Sequence, residues 1–212
     1  MKKHLLSLSA ICLLFTSTAF CQNSFEGKIT CMQYNGVDTS YFSFYVKNEH
    51  VKFTDSKTDT GKEQSIILVN LKDKTTLTLS PQRRQYYDYH APDFQKLPGK
   101  TNVTKTTNTK TINGYLCTEY IVENQQEDAK ISYWIADGNF TFFLPMLKAL
   151  SLNYGYYCQY YLEIPNTSNM FPMEAYKTDM KGNAKGFMKA TKVTSVSLED
   201  GIFFIPQSYT KK

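Results

Sequence analysis

The residues best suited to chemistry in this chain are few, and their spacing forms no established catalytic pattern. His90 lies in "YDYHAPD" between Asp88 and Asp93, so a base with an orienting carboxylate is one interpretation. A polar turn ahead of Pro92 is the other, and it is favoured because geometry across a turn is unconstrained. No G-x-S-x-G elbow occurs. We therefore predict no catalytic residues and expect a protein that is not an enzyme.

Carboxylates and metal ligands give no stronger signal. Glu119, Glu163 and Glu174 lie in segments that alternate like strands, where glutamates on a solvated face are the ordinary explanation. The chain has no H-x-H, H-E-x-x-H or calcium-loop spacing, and its 10 glycines form no phosphate-binding loop. We predict no metal site and no cofactor.

The first residues indicate export. Lys2 and Lys3 precede the apolar run "LLSLSAICLLF", which is too short to span a membrane and suits a signal peptide. We predict a signal peptide over residues 1–21 and a single domain over residues 22–212, located in the periplasm or secreted. The alternative is a lipid anchor on Cys21, which bulky Phe20 disfavours. No second stretch is long and apolar enough to predict a stable membrane span.

Cleavage would leave three of the five cysteines: Cys31, Cys117 and Cys158. Because three is odd, at most one disulfide can form within the chain. A bridge between Cys117 and Cys158 and a set of buried thiols are both compatible with the sequence.

Charge and aromatic content limit the partners. The formal net charge of +5 is mild and scattered, so we predict no nucleic-acid partner. The chain has 16 tyrosines, 14 phenylalanines and one tryptophan. Rings contribute most when they are buried, so we expect them to form a core or line a cavity. Trp134, between aliphatic neighbours in "ISYWIA", is expected in the sheet core.

Most of the chain is predicted to be short strands between turns. Hairpins are indicated around Asn48–Glu49, the "KDK" turn and the "NQQED" turn, and a short strand at "RQYYDYH". Residues 96–113 are rich in threonine and lysine, and we interpret them as a solvated edge strand rather than a linker. Further strands are predicted at "MFPMEAYKTD", "GFMKATKVTSVSLE" and "GIFFIPQSYTK".

Two neighbouring segments differ in period. In "FTFFLPMLKALSLN" the apolar residues recur at helical spacing, with Pro145 in the first turn, which predicts one short amphipathic helix. In "NYGYYCQYYLEIP" the tyrosines alternate, which we interpret as a strand. About ten strands form a sheet that must curl or close. The predicted fold class is mainly β (α+β): a curved antiparallel sheet forming an incomplete barrel, with one or two short helices over its concave face.

Three stretches resemble an exported, largely uncharacterised Bacteroidetes-type family: "TKTINGYLCTEY", "YWIAD" and "GIFFIPQSY". That family is similar in fold to the LolA/LolB lipoprotein carriers, an incomplete antiparallel barrel with helices over its hollow. The resemblance implies a hydrophobic cavity. The matching residues are Ile112, Gly114, Tyr115, Cys117, Tyr120, Trp134, Phe204, Pro206 and Tyr209, whereas Ser208 stands where glycine is common.

We therefore expect an exported, non-catalytic binding module that holds a lipid, an acyl chain or another apolar ligand. The alternative is a structural, sensor or interaction protein of the cell envelope whose own side chains fill the core. Under the binding hypothesis the predicted cavity-lining residues are Phe143, Met146, Leu147, Leu150, Tyr156 and Tyr160.

Overall fold

The computed structural model describes residues 24–56, 58, 61–91, 96–150 and 155–212, without the side chains of residues 155 and 156. The predicted signal peptide and the alternative lipid anchor at Cys21 lie outside the described residues. Within the described part, no helix is long and apolar enough to cross a membrane.

The described residues form one 12-stranded sheet in the order β12-β6-β5-β4-β3-β2-β1-β11-β10-β9-β8-β7. All neighbours pair antiparallel except β12 and β6, and the sheet stays open. The predicted fold class is confirmed. The strands are β1 (Gly27–Tyr34), β2 (Thr39–Lys47), β3 (His50–Ser56), β4 (Ser65–Asn70), β5 (Thr75–Ser80), β6 (Gln85–Asp88), β7 (Thr101–Ile112), β8 (Tyr115–Asn124), β9 (Ala129–Asp137), β10 (Met170–Thr178), β11 (Ala184–Ser195) and β12 (Thr210–Lys211).

Two meanders make up the sheet, and β1 joins them by pairing with β2 on one side and β11 on the other. The predicted hairpins β2–β3, β4–β5 and β8–β9 are present. The β7–β8 hairpin turns through Asn113 and Gly114, whose φ angles are 51° and 84°. Two consecutive positive φ angles define the tight turn that Asn-Gly adopts best. The predicted edge strand is confirmed as β7 at one end of the sheet.

Two short helices cover one face of the sheet, which we call the inner face. Helix α1 spans Phe143–Ala149, with Pro145 in its first turn as predicted, and α2 spans Gly155–Tyr161. Alternation along each strand decides which side chains meet the helices. In β1, for example, Ile29 and Cys31 point inward and are fully buried.

The tyrosine-rich segment is α2, so the predicted strand is wrong. The buried residues of this segment are Tyr157, Tyr160, Tyr161 and Ile164. Their spacing of i, i+3, i+4 and i+7 is the pattern of an amphipathic helix. Because tyrosines occupy both even and odd positions of the segment, they also match the alternation of a strand. Only a helix, however, places the four buried residues on one face.

The expectation that Trp134 lies in the core is also wrong. Trp134 is half-buried on the outer face, where the Lys110 ammonium lies 4.2 Å from the ring centroid. Its neighbour Tyr133 points inward, is fully buried, and donates a hydrogen bond to the Tyr157 carbonyl oxygen at 2.6 Å. Tyr133 and Trp134 are adjacent, so one ring lies on each face of β9. Tyr133 shares the inward face with Ile131 and Ile135, which lie two residues before and after it.

The C-terminal segment is only in small part a strand. A 3-10 helix spans Asp200–Phe203, and β12 has two residues, so the strand predicted at "GIFFIPQSYTK" is largely wrong. Tyr209 packs on a small second core of the outer face, formed by Ile66, Leu68 and Leu79. These rings and aliphatic chains cover the outer side of β4 and β5, away from the helices.

Candidate functional site: an apolar cavity under the helices

A cavity of about 270 Å³ lies between the helices and the inner face. Strands β1, β2, β3, β10 and β11 form its floor, and α1 and α2 form its roof. Its lining is mostly aromatic and aliphatic. The lining residues are Gln33, Ser40, Tyr41, Phe42, Phe44, Phe53, Asp55, Phe143, Met146, Leu147, Leu150, Tyr157, Cys158, Phe171, Pro172 and Met188.

Three phenylalanines of β2 and β3 form one wall. Phe42 and Phe44 alternate on β2, so both face inward, and Phe53 lies directly opposite Phe44 in the β2–β3 pair. The ring centroids are 5.6 Å apart for Phe42 and Phe44 and 5.3 Å apart for Phe44 and Phe53. The wall is therefore a continuous aromatic surface.

Helix α1 forms the part of the roof that faces this aromatic wall. Phe143, Met146 and Leu147, with Leu150 just after the helix, share one helical face and are at most 3% exposed. All four of these predicted residues line the cavity. A helix of seven residues gains its stability from such packing rather than from propensity, so α1 depends on the surface it covers.

The two predicted tyrosines differ from this group. The Tyr156 side chain lies outside the described residues. Tyr160 is fully buried in the main core and does not line the cavity. Tyr157 and Cys158 line it instead. The strand interpretation missed Tyr157 because it placed this residue on the face opposite Tyr156 and Tyr160, whereas Cys158 shares their parity and was not among the predicted lining residues. The alternating phenylalanines in "YFSFYV" are the signal that could have located the β2 wall.

The rim of the cavity is polar. Gln33, Ser40, Tyr41 and Asp55 lie there, and Asp55 is held by Ser65. The Asp55 Oδ1 atom accepts hydrogen bonds from the Ser65 backbone N–H at 2.7 Å and the Ser65 hydroxyl at 3.0 Å. An apolar interior with a few fixed polar groups at one side is typical of ligand sites.

The ionisable groups on the helix side of the lining are neutral at physiological pH. Burial raises the pKa of the Cys158 thiol to about 12 and also raises the pKa of Tyr157. Cysteine reacts as a thiolate, and a thiol with this pKa is almost entirely protonated at pH 7. The arrangement therefore favours binding of an apolar molecule over nucleophilic chemistry.

The three described cysteines, Cys31, Cys117 and Cys158, are free thiols, so the bridge considered between Cys117 and Cys158 is not formed in this structure. Cys158 is half-buried in the cavity wall, whereas Cys31 and Cys117 are fully buried.

This difference gives a prediction for thiol alkylation. In the folded protein we expect iodoacetamide to modify Cys158 before Cys31 and Cys117, and to do so slowly at pH 7. The rate should rise by about tenfold per pH unit below the pKa, because the thiolate is the reacting species. Peptide mapping by mass spectrometry after timed quenching measures both effects. Earlier labelling of Cys31 would contradict the burial that we describe.

Two of the candidate catalytic carboxylates, Glu119 and Glu174, lie on the outer face of the sheet and do not line the cavity. Glu119 and Glu174 flank Trp134 on the neighbouring strands. Partial burial alone raises the pKa of Glu119, but hydrogen bonds from Ser132, Asn108 and Thr106 lower it below its ordinary value. Glu174 is paired with Lys110. A general acid needs the opposite shift, so the lowered pKa does not suit Glu119 to that role.

The remaining residues give no cluster. Glu163 lies in the turn after α2, and His90 is exposed just beyond β6, whereas Asp93 lies outside the described residues. Among the residues that the structure covers, no group of three or more His, Cys, Asp and Glu side chains is placed to hold a metal ion.

No protein-family model and no curated protein matches the chain. An uncharacterized conserved protein from Thermus thermophilus has a TM-score of 0.50 at 7% identity, over 87% of this chain and 89% of that one. MucB gives 0.48 at 12% identity, over 88% of this chain and 58% of that one. PNGF-II gives 0.45 at 12% identity, over 87% of this chain and 30% of that one.

These similarities bear on the fold alone. The chain spans less than two thirds of the MucB and PNGF-II chains, and both TM-scores are too low to support an inference. The Thermus thermophilus protein has a comparable length and fold at an identity that says nothing about function. The resemblance to the lipoprotein carriers is not confirmed by these structures and stays an expectation.

Proposed function

We propose that this protein is an exported, non-catalytic binding module that holds one apolar chain or ring system in the cavity under α1 and α2. The observation that carries the proposal is the cavity itself, with an aromatic and aliphatic lining and a polar rim. The expected leader peptide supports an envelope location. The resemblance to the lipoprotein carriers supports the same activity, since it implies an apolar hollow covered by helices.

The size of the cavity limits the ligand. An engineered apolar cavity of about 150 Å³ binds benzene. A volume of about 270 Å³ therefore suits a single chain or a small ring system, and it is too small for both tails of a phospholipid. Helix α1 would form the movable wall, because its short length leaves it dependent on packing.

One observation favours the alternative, a structural or sensor protein without a ligand. Ligand sites usually measure about 300–1,000 Å³, and this cavity lies just below that range. The closely packed rings beside it, such as Phe143 and Phe171 with centroids 4.7 Å apart, show how the core could serve a purely structural role.

A fluorescent apolar probe separates the two. We expect N-phenyl-1-naphthylamine, which is uncharged, to bind the wild type at one site with a micromolar Kd. The larger side chain in Phe42→Trp should weaken binding at least tenfold, because residue 42 lines the cavity. Fluorescence titration at the probe's own excitation wavelength measures both values.

Tyr45→Trp is the matched control. Tyr45 is on the same strand and half-buried, but it points to the outer face, where the Lys28 ammonium lies 4.9 Å from its ring centroid. This variant should bind the probe like the wild type. Absence of wild-type binding at micromolar concentrations would reject the binding module in favour of the structural protein.

A further inference from the structure

The charge of the cavity lining determines which head group of a bound ligand would be favoured. This inference rests on the proposed function. Among the described lining residues, Asp55 is the one that carries a carboxylate, and none of them is a lysine, an arginine or a histidine. The other polar members, Gln33, Ser40 and Tyr41, are uncharged. No lysine or arginine of the described residues forms an ion pair with Asp55. Lys52, on the same strand, points to the outer face and is paired with Glu63. The part of the rim that the structure describes is therefore acidic.

The register of β2 and β3 places this carboxylate beside an aromatic ring. Asp55 is directly opposite Phe42 in the antiparallel pair. Side chains at opposite positions point to the same face with their Cβ atoms about 4.5–5.5 Å apart. A carboxylate next to a phenyl ring is a favourable setting for an ammonium group, since the ring face and the negative charge both attract a cation.

The same face becomes steadily more apolar away from Asp55. The next inward pair is Phe53 opposite Phe44, at 4% and 5% exposure, and the one after is Val51 opposite Val46, at 1% each. Of these residues, Phe53 and Phe44 line the cavity. A molecule with a cationic head at Asp55 and an apolar chain directed over these two rings would match both properties of the surface.

The hydrogen bonds to Asp55 leave room for this role. Both bonds from Ser65 end on Oδ1, and Oδ2 takes part in neither. They fix the orientation of the carboxylate, so little side-chain freedom is lost when a head group binds. A carboxylate ligand would instead bring two like charges together in a partly desolvated site, which is unfavourable.

We infer that the cavity selects a single-chain amphiphile with a cationic ammonium head, positioned by Asp55 and Phe42 at the rim. A fatty acid of the same chain length would be a poor ligand.

Three ligands with the same twelve-carbon chain test this inference by displacement of the naphthylamine probe: dodecyltrimethylammonium, dodecanol and dodecanoate. The two charged ligands are used below their micelle concentrations and dodecanol below its solubility limit. For the wild type we expect dodecyltrimethylammonium to bind at least tenfold more tightly than dodecanoate, with dodecanol between them. The difference should shrink as salt is added, because Asp55 is only half-buried and dissolved ions can screen its charge.

Asp55→Asn removes the charge and keeps an oxygen that can accept the hydrogen bonds from Ser65. It should bring the cation and the anion within about threefold of each other, a loss of most of the tenfold preference. Asp73→Asn is the control, because Asp73 lies in the β4–β5 turn and accepts a hydrogen bond from Asn70 there. That variant should keep the wild-type preference.

The outcomes separate the two claims. If the probe and dodecanol bind while dodecanoate binds as tightly as dodecyltrimethylammonium, the charge preference is wrong and the binding module stands. If neither the probe nor any ligand binds the wild type, both are wrong. Should Asp55→Asn fail to fold by circular dichroism, the wild-type ranking of the three ligands still decides.

Discussion

Replacing Phe171 with alanine is expected to lower the free energy of unfolding by about 3–5 kcal/mol, the usual range for a buried phenylalanine. Phe171 is 1% exposed on β10 and lies at the centre of an aromatic cluster. Its ring centroid is 4.7 Å from that of Phe143, 5.4 Å from Phe140 and 5.9 Å from Phe44. The cost is large because rings of β2, of α1 and of the segment before α1 lose their shared contact.

The same substitution should change binding. Phe171 also lines the cavity, so the space left by its ring joins the existing volume instead of collapsing. We expect Phe171→Ala to bind a bulkier apolar ligand better than the wild type does, and the bound ligand to recover part of the lost stability. Urea unfolding with and without the probe measures both effects.

Phe187→Ala is the control for ring size. Phe187 is half-buried on the outer face, with its ring centroid 5.7 Å from that of Tyr34. Its loss should cost less than half as much and leave probe binding unchanged. If Phe171→Ala costs less than about 1 kcal/mol, the packing described around Phe171 is wrong.

Prediction from the sequence is most reliable where the spacing of apolar residues matches only one type of secondary structure. Along α1, Phe143, Met146, Leu147 and Leu150 recur only at helical spacing, and a proline is tolerated there only in the first turn. The helix and its apolar face were therefore predictable. The edge position of β7 was predictable for a similar reason, since threonine favours extended backbone and lysine discourages further pairing.

Two errors have a common physical cause: local patterns that two structures satisfy equally. Tyrosines in the α2 segment fit both a strand and a helix, and tertiary contacts such as those with Tyr133 and Phe143 distinguish them. Tyr133 and Trp134 are adjacent rings on opposite faces, so burial of either one satisfies the alternation. In each case contacts with residues distant in sequence select the structure, and local propensities carry no information about those contacts.

The aromatic wall and the acidic rim show the same limit. The sequence has the alternation of Phe42 and Phe44, but their apposition to Phe53 and Asp55 depends on the β2–β3 register. Register is a property of two strands and their turn. The part of the cavity on α1 was thus predictable from one segment, and the part on the sheet required the fold.

Gly27→Ala should be among the most damaging single substitutions, lowering the free energy of unfolding by about 3 kcal/mol or more. Gly27 has a φ of 146°, a conformation in which an L side chain is strained by roughly 1–3 kcal/mol. A Cβ atom there would lie 2.1 Å from the Thr194 carbonyl oxygen of β11. Backbone atoms have to move to relieve that overlap, which adds a cost of about 1–3 kcal/mol.

The position of Gly27 extends the effect to the site. It opens β1, the strand that joins the two meanders, and pairs there with Val46 and Ser195. Displacing β11 from β1 would separate the wall made by β2 and β3 from the part of the floor made by β10 and β11. We therefore expect probe binding to fall together with stability.

Two other glycines separate the causes. Gly182 has a φ of 90° with nothing within 4 Å of an added Cβ, so Gly182→Ala measures the backbone strain alone. Gly201 also has open space, and it has no positive φ, so Gly201→Ala should be nearly neutral. Chemical denaturation should rank the losses as Gly27, then Gly182, then Gly201. Equal falls in the free energy of unfolding for Gly27→Ala and Gly182→Ala would show that β11 moves away from β1 at little cost. The pairing of β1 with β11 would then not be the rigid connection that we describe.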